Sequence, residues 1–437
     1  MRRKIFDKLL EWKNSYDKPL VLTGASGVGK SYSAYSFGKS FYQYYIYINT
    51  STDNTILPSL ITDNILEPID LFKSKYQIPT DYDEDILLIL DDVNLNKDTT
   101  LIKHISNRLY NYKNFHLLII TNYLDEIDED FNFLMLHPLD FEEFLLATGN
   151  EWYIESIRVH FDSNKKLPDI VHNELLTLYH EYIKVGGMPL AVNEYISTES
   201  TFNIKSQHNI LLNSYLHQLG RNKDEIDTLK IVQAYDTIPD QLLKENHKFR
   251  YSIIRKGATQ GMYATALQYI KNSFYGVFCI KIDDINLDKV LNNTNYLEYI
   301  MNLKEFDLGL KMYHLDIGLL NTSLQGKSPK KGDVDVKLNE PIKKALYDNY
   351  VALSLASNHY PLIFWESNSQ AKIEFLIVKE KKLIPIEIKT SNNTRSKNFS
   401  VIKQLYPVIK EQIKISTKNF DYQNHIKYVP IYATFCI

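Results

Sequence analysis

Residues 22–31, LTGASGVGKS, constrain the fold of this chain more than any other segment. They follow the spacing G-x-x-x-x-G-K-[ST], after a short apolar run at 19–22 and before a segment at 32–39 that can form a helix. In a strand, glycine loop and helix of this kind, backbone N–H groups surround a phosphate and the helix N-terminus adds partial positive charge. The pattern predicts a phosphate-binding loop in an α/β sheet. The alternative is a glycine turn with a surface lysine.

The loop residues have predicted roles toward ATP and Mg²⁺, the two cofactors that we expect. Lys30 is placed to reach the β- and γ-phosphates, and the Ser31 hydroxyl to coordinate Mg²⁺. Nucleotide contact is predicted for Gly24, Ala25, Ser26, Gly27, Val28, Gly29, Lys30 and Ser31.

A continuous apolar run at 86–90 predicts a buried central strand of a parallel sheet, and it ends in Asp91 and Asp92. Ligands of open α/β sheets bind at the carboxyl ends of the strands. We therefore expect Asp91 to hold Mg²⁺, directly or through water, and Asp92 to polarise the attacking water as the candidate catalytic base. The alternative is an acidic exit from strand to loop.

A second buried strand is predicted at 115–120, ending in Thr121 and Asn122. Either side chain is a candidate to sense the γ-phosphate of a bound nucleotide. A strand cap without further function is the competing interpretation.

Composition narrows the class of protein. A chain of 437 residues predicts two to four domains, and a net charge of -3 gives no global basic field, so any nucleic-acid contact has to come from a local patch. The two cysteines, Cys279 and Cys436, lie far apart and indicate neither a disulfide framework nor a zinc site. No apolar run reaches the ~20 residues of a membrane helix. We expect a soluble, cytoplasmic protein without membrane contact, and the oligomeric state stays open.

The middle of the chain predicts short helices followed by strands, which is typical of a winged helix. A turn and helix opened by Pro239 precede a helix at 263–273 and a strand at 276–282. Basic residues are concentrated between 241 and 256, where a recognition helix and its flank would contact DNA phosphates. The predicted DNA-contacting residues are Lys244, Lys248, Arg250, Arg255 and Lys256. A solvated helix face or a docking surface would explain the same pattern.

The C-terminal part predicts a hairpin that carries two carboxylates and a lysine. Alternation in its second strand places Glu387 and Lys389 on one face, and the hairpin brings Glu374, on the first strand, near Glu387. Two neighbouring carboxylates attract Mg²⁺, and a lysine beside them can orient a water or hold a phosphate. Glu374 and Glu387 are thus predicted metal ligands, and all three are predicted catalytic residues of phosphodiester hydrolysis. A plain strand pair with alternating charges is the alternative.

In combination and order, these motifs resemble a family of bacterial and archaeal AAA-superfamily ATPases whose last domain is uncharacterised and looks like the PD-(D/E)XK nuclease core. The resemblance rests on the phosphate loop, on PLDFEEF at 138–144, GGMPLAV at 186–192, the segment at 309–320 and the C-terminal hairpin. It covers nearly the whole chain. It implies an ATPase core with a helical lid, a winged helix, and a nuclease-like last domain in which Asp348 completes the acidic set.

The chain departs from this family at three kinds of position. Asp92 stands where the family has Glu, and no arginine precedes the PLDFEEF segment, where the family has a Gly-Arg pair. In the C-terminal pattern, Glu374 replaces the usual Asp and Asp348 the usual Glu. Nucleotide binding is therefore a safer inference than rapid hydrolysis, and a nuclease-like fold safer than nuclease activity.

The predicted fold class is α/β, with a P-loop NTPase parallel sheet, a helical lid, a winged-helix-like middle domain and a C-terminal α/β restriction-endonuclease-like domain. The predicted boundaries are 1–147, 148–205, 206–325 and 326–437, and a mobile linker is predicted at 325–333. The predicted function is ATP binding and hydrolysis coupled to a DNA-associated nuclease-like module. The alternative is a nucleotide-dependent switch with slow turnover and an inactive nuclease fold.

Overall fold

The structure is a computed structural model that describes residues 3–52, 73–74, 76–79, 82, 84–110, 115–125, 128–219, 225–282, 309–326, 340–367, 371–380, 382–390 and 397–437. The chain divides into two compact units, and the four predicted domains stay a prediction. Unit 1 is Met1–Pro138 with Asn272–Phe274, and unit 2 is Leu139–Lys271 with Tyr275–Ile437. Most of the predicted linker, from residue 327 onward, lies outside the described residues.

Unit 1 is built on a parallel five-stranded sheet with the strand order β2-β3-β4-β1-β5. Its strands are β1 (Leu20–Thr23), β2 (Tyr44–Asn49), β3 (Ile86–Asp91), β4 (Phe115–Ile120) and β5 (Asn132–Met135). The helices are α1 (Ile5–Asn14), α2 (Lys30–Phe41) and α3 (Leu95–Tyr110). This is the parallel α/β sheet that the sequence predicts, and it is consistent with a P-loop NTPase core.

The burial of the two central strands, β3 and β4, accounts for their apolar sequences. Every residue of β3 and β4 is buried, as expected when a parallel strand is covered on both faces and therefore has to be apolar throughout. All the strand pairs are parallel, so the loop after β1, Asp91 at the end of β3 and the residues after β4 come to the same edge of the sheet. That edge is where a ligand is expected.

Unit 2 begins with helices whose boundaries follow local sequence signals. The first is capped by Asp140, whose carboxylate accepts a hydrogen bond from the Glu143 N–H at 2.9 Å. A later one ends at Gly186, and the next starts with Pro189 at its first turn. The helices up to the second sheet are α4 (Phe141–Ala147), α5 (Trp152–Ser163), α6 (Asp169–Val185), α7 (Pro189–Thr198), α8 (Ile204–Leu219), α9 (Glu225–Asp236), α10 (Ile238–Leu242), α11 (Tyr251–Ile254) and α12 (Gln260–Asn272).

The unit boundary precedes the predicted one at 147 because α4 packs with the helices that follow it. The Phe141 ring lies edge-on to Tyr179, the Phe144 ring contacts Tyr182, and the Tyr182 hydroxyl donates to the Leu139 carbonyl at 2.7 Å. This aromatic cluster places the PLDFEEF segment in the helical part of unit 2 from Leu139 onward.

The second sheet is mixed and has the strand order β12-β13-β11-β10-β9-β8-β6-β7. Its strands are β6 (Gly276–Ile282), β7 (Leu310–His314), β8 (Ile363–Glu366), β9 (Lys372–Lys379), β10 (Lys382–Ile388), β11 (Gln412–Ser416), β12 (Asp421–Gln423) and β13 (Ile426–Pro430). Three α-helices and a 3₁₀-helix accompany them: α13 (Ile317–Gly326), α14 (Glu340–Ser357), α15 (Asn398–Leu405) and Ile431–Cys436. The hairpin β9–β10 is the one that the sequence predicts.

The winged helix predicted for 206–325 is not confirmed. The strand predicted at 276–282 is present as β6, but it pairs with β8 in parallel and with β7 antiparallel, inside the sheet that also holds the C-terminal strands. Pairing between β6 and β8 joins residues on both sides of the predicted boundary at 325. Local sequence patterns do not encode such a long-range strand pairing, which explains the difference.

Asp316 caps the helix α13, as its position before an apolar helical segment indicates. Its Oδ1 accepts a hydrogen bond from the Leu319 N–H at 2.9 Å, and its Oδ2 accepts one from the Gly187 N–H at 2.7 Å. A Cβ atom on Gly186 would lie 2.4 Å from Asp316 Oδ1, so the close approach requires glycine there. The GGMPLAV segment is thus tied to α13 within unit 2. Among the described residues, no helix is both long and apolar enough to cross a bilayer.

Candidate nucleotide site and the C-terminal carboxylates

The loop between β1 and α2 has the backbone conformation that its glycines predict. Gly24 has φ +141°, and a Cβ there would lie 2.3 Å from the Leu136 carbonyl oxygen. Gly27 and Gly29 also have positive φ angles, of 81° and 99°, and Gly29 is the residue before the first turn of α2. At these φ angles a side chain would strain the backbone. Glycines allow the loop to direct its N–H groups toward a phosphate at the N-terminus of α2.

Lys30, the first residue of α2, is buried and lies back over its own loop. Its Nζ donates to the carbonyls of Gly24 and Ala25, both at 2.8 Å, and to Oδ1 of Asn122 at 2.7 Å. Burial lowers the pKa of Lys30 to about 8, although Asp91 and Asp92 act in the opposite direction. A buried ammonium held by neutral oxygens is well placed to exchange them for phosphate oxygens.

Asp91 is buried at the end of β3, and both of its carboxylate oxygens are hydrogen-bonded. Oδ1 accepts from the Asp92 N–H at 2.7 Å, and Oδ2 accepts from the Tyr47 hydroxyl. The Ser31 side chain also interacts with this hydroxyl. Ser31 and Asp91 thus both contact the Tyr47 hydroxyl. Their side chains carry the hard oxygen atoms that Mg²⁺ prefers, so the residues present fit a magnesium ion.

Asn122 lies between Lys30 and Asp92, whereas Thr121 does not reach them. Asn122 Nδ2 donates to Asp92 Oδ1 at 3.2 Å, while its Oδ1 accepts from Lys30. The Thr121 hydroxyl donates instead to the Tyr123 carbonyl at 2.9 Å. Of the two predicted sensors, the contacts therefore favour Asn122. Asp92 is exposed and has φ +60°, an uncommon conformation for a residue other than glycine.

Arg3 and Tyr47 belong to this site and were not identified from the sequence. The buried Arg3 guanidinium donates to the Val28 carbonyl at 3.1 Å and to the His137 carbonyl at 2.7 Å, so it holds the loop from the N-terminal segment. Arg3 precedes an amphipathic helix, and Tyr47 is one of many tyrosines in the chain. Neither has a local sequence signal that would distinguish it.

In unit 2, Lys344 joins two of the predicted acidic residues. Its Nζ lies 3.1 Å from both carboxylate oxygens of Asp348 and 3.4 Å from Oε1 of Glu374. The two carboxylates raise the pKa of Lys344 against the opposing effect of burial. Lys344, Lys311 and His247 likewise lower the pKa of the fully buried Asp348, against its own burial. One lysine of α14 thus contacts both acids, Asp348 on the same helix and Glu374 on β9.

Glu387 has a different set of partners. Its carboxylate lies 3.0 Å from Lys389 Nζ and 3.4 Å from Lys414 Nζ, and it accepts hydrogen bonds from Asn398 at 2.8 Å and Gln412 at 3.4 Å. The predicted pairing of Glu387 with Lys389 on one strand face is present. Glu374, by contrast, contacts Lys344.

Lysines contact the carboxylates of both Glu374 and Glu387, and the predicted metal site of these two residues stays a prediction. Across the described ranges, no group of three or more His, Cys, Asp or Glu side chains is placed to share an ion. A small cleft opens beside Asp348 and Glu374, and its charged residues nearly balance. They are Lys311, Lys344, Lys372, Glu245, Asp348, Glu366 and Glu374.

The five basic residues predicted to contact DNA do not share a recognition helix. The helices in this region, α10 and α11, have only five and four residues, so the expected recognition helix is absent from the described segment 238–256. Lys248 forms an ion pair with Glu366, which neutralises part of the patch. The remaining four side chains are exposed: Lys244, Arg250, Arg255 and Lys256.

Comparisons with known proteins give one family match, in the C-terminal part of the chain. Residues 343–434 match the family model described as Domain of unknown function (DUF4143), which covers less than half of the chain. No curated protein matches the sequence.

Three solved structures show the range of similar folds. The Walker-type ATPase PABY2304 of Pyrococcus abyssi is 14% identical and has a TM-score of 0.40, with 74% of this chain and 95% of that chain covered. A STAND protein with a tetratricopeptide repeat sensor, PH0952 of Pyrococcus horikoshii, is also 14% identical, with a TM-score of 0.28 and coverages of 82% and 45%. The third, Drosophila ORC bound to AT-rich DNA and Cdc6, is 14% identical with a TM-score of 0.23 and coverages of 45% and 91%. These similarities are too distant to carry a functional argument.

Proposed function

We propose that this protein binds ATP with Mg²⁺ at the loop of unit 1 and hydrolyses it. The observation that carries the proposal is the buried Lys30 ammonium, which lies over a positive-φ glycine loop at the N-terminus of α2 and donates to three neutral oxygens. Phosphate oxygens are stronger acceptors for an ammonium than carbonyl or amide oxygens are. Binding of a nucleotide would therefore draw Lys30 from Gly24 and Ala25 toward the phosphates.

The remaining residues of the site supply the other parts of a phosphoryl-transfer mechanism. The N–H groups at the start of α2 stabilise negative charge on the phosphates. Ser31 and Asp91 would hold Mg²⁺, which neutralises charge that develops between the β- and γ-phosphates. Asp92 is the candidate to orient and deprotonate the attacking water, and Asn122, which contacts both Lys30 and Asp92, links the phosphate-binding group to that base.

The rate of hydrolysis separates this function from a slow nucleotide-dependent switch. The switch is favoured by Asp92, which has a short side chain, adopts φ +60° and is engaged by Asn122. Rotation of Asn122 away from Asp92 would free the carboxylate to act as a base. If that rotation is rare, the bound nucleotide persists and the protein acts through its nucleotide state.

Binding and turnover are best measured together. Fluorescent ATP analogue binding and steady-state ATPase rates should be compared for the wild type and Lys30→Ala, with Lys39→Ala as a control at an exposed lysine of the same helix. We expect Lys30→Ala to lose at least about a hundredfold in nucleotide affinity and Lys39→Ala to lose none. Unchanged affinity in Lys30→Ala would refute the proposal. Turnover that disappears in Asp91→Ala identifies an ATPase, and binding without turnover identifies the switch.

The DNA-associated nuclease module remains a separate hypothesis for unit 2. Its support is the hairpin that carries Glu374, Glu387 and Lys389 in the predicted order, and the exposed basic residues near 250. Against activity stand Lys344, Lys389 and Lys414, which already neutralise the acids. Mg²⁺-dependent cleavage of DNA that is lost in both Glu387→Ala and Lys389→Ala would establish a nuclease, and its absence leaves the inactive fold as the better description.

A further inference from the structure

The Tyr47 hydroxyl is hydrogen-bonded to Asp91, the carboxylate that the proposed site would use to bind its metal ion. It lies on β2, whose Asn49 is the register partner of Asp91 on β3. Since side chains two positions apart point to the same face of a strand, Tyr47 is on the face of Asn49 and its long ring reaches forward to Asp91. The hydroxyl donates to Asp91 Oδ2, and the Ser31 side chain interacts with it as well.

The ring of Tyr47 is held independently of this hydrogen bond. It lies edge-on to the ring of Tyr35 from α2, with 6.5 Å between the ring centroids. Asp91 has its other oxygen, Oδ1, fixed by the N–H of Asp92 at 2.7 Å. Oδ2 is thus the carboxylate oxygen that the Asp92 N–H leaves to a metal or a metal-bound water, and the phenolic hydroxyl is hydrogen-bonded to it.

We propose that Tyr47 is a positioning residue that sets the metal requirement of the nucleotide site, by holding Asp91 Oδ2 and contacting Ser31 until Mg²⁺ is bound. The inference rests on the proposed function. The hydroxyl donates to Asp91 Oδ2, and a metal ion bound to the same oxygen would meet this hydroxyl. The Tyr47 hydroxyl therefore competes with the metal and weakens its binding.

The test separates metal affinity from nucleotide affinity. Mn²⁺, used as a spectroscopic substitute for Mg²⁺, is titrated into the protein with a saturating non-hydrolysable ATP analogue, and bound Mn²⁺ is measured by electron paramagnetic resonance. Tyr47→Phe keeps the ring and its packing and removes only the competing hydroxyl. We expect Mn²⁺ to bind about tenfold more tightly in this variant, as loss of one hydrogen bond to a charged acceptor implies. Affinity for the analogue in EDTA should not change.

Tyr45→Phe is the matched control, because Tyr45 lies on the same strand and, in the described part of the chain, its ring and hydroxyl contact Tyr35 rather than Asp91. It should leave Mn²⁺ affinity at the wild-type value. Unchanged or weaker Mn²⁺ binding in Tyr47→Phe, with normal nucleotide binding in EDTA and a normal unfolding transition, would overturn the role of Tyr47. If the wild type bound no nucleotide with or without metal, the proposed function itself would fail.

Discussion

The lysine and carboxylate charges are paired differently at two sites of this chain. In unit 1, Lys30 donates to carbonyl and amide oxygens, and Asp91 accepts from a hydroxyl and an N–H. In unit 2, Lys344 is paired directly with Asp348 and Glu374. The first arrangement keeps both charges available for a ligand. The second pairs the lysine directly with carboxylates inside the protein.

The pKa shifts of the two lysines express this difference. Burial lowers the pKa of Lys30 to about 8, which means that the folded protein holds this charge at a cost. The pKa of Lys344 is raised, because the attraction of two carboxylates exceeds the effect of burial. A charge that is costly to bury, placed beside a glycine loop, is typical of a functional site, whereas the charge of Lys344 is compensated by its carboxylate partners.

Replacement of the lysine by methionine at each site is the strongest test of this difference. Lys344→Met leaves Asp348 and Glu374 without their shared ammonium and should destabilise unit 2 by roughly 3–5 kcal/mol, the usual cost of breaking a buried ion pair. Lys30→Met removes a charge that is costly to bury and should cost less than ~1 kcal/mol, while it abolishes nucleotide binding. Urea unfolding monitored by tryptophan fluorescence would measure both. Equal destabilisation in the two variants would contradict the comparison.

Glu387 allows the same contrast to be tested on the acidic side. Glu387→Gln removes the negative charge that faces the buried Lys414 and should lower stability by about 2 kcal/mol, since a buried charge loses a compensating partner. Asp91→Asn at the nucleotide site should cost less, because its Oδ1 and Oδ2 partners are neutral donors. Thermal unfolding of both variants in the absence of nucleotide checks the order. A larger loss of stability in Asp91→Asn than in Glu387→Gln would contradict the predicted difference between the two acidic residues.

The dependence of nucleotide affinity on pH tests the difference between Lys30 and Lys344 without a mutation. As the pH rises from 7.5 to 9.5, Lys30, whose pKa is about 8, loses its proton in the free protein, and nucleotide affinity should fall about twentyfold. The stability contribution has the opposite sign: an unfolded lysine keeps its proton to about pH 10.5, so stability rises between pH 8 and that value. Lys344, with a raised pKa, keeps its charge over this range. Nucleotide affinity that is constant to pH 9.5 would show that Lys30 is not the titrating group.

The sequence predicts those parts of the molecule that depend on local patterns. The strands β1, β3 and β4 follow from short apolar runs, and the loop geometry follows from Gly24 and Gly29. These features need only local conformational preferences and the burial of parallel strands, and the structure contains them.

Features that depend on contacts between distant segments are not predicted. The parallel pair β6–β8 joins segments more than seventy residues apart, so a separate winged helix was inferred where one mixed sheet exists. The role of Lys344 was missed because its significance comes from Glu374, which lies on a different element. Likewise, nothing near Tyr47 in the sequence indicates a contact with Asp91, 44 residues away.

Arg3 provides the smallest expected effect and a test of how far the nucleotide site extends. Its guanidinium bridges the carbonyls of Val28 and His137, which a lysine ammonium cannot do with the same geometry. Arg3→Lys should therefore loosen the loop and lower nucleotide affinity about threefold, within the range expected for one weakened hydrogen bond. Lys4→Arg, a change of the neighbouring cation, is the control and should have no effect. A loss as large as that of Lys30→Met would show that Arg3 acts on the nucleotide itself, whereas a threefold loss identifies it as a support of the loop.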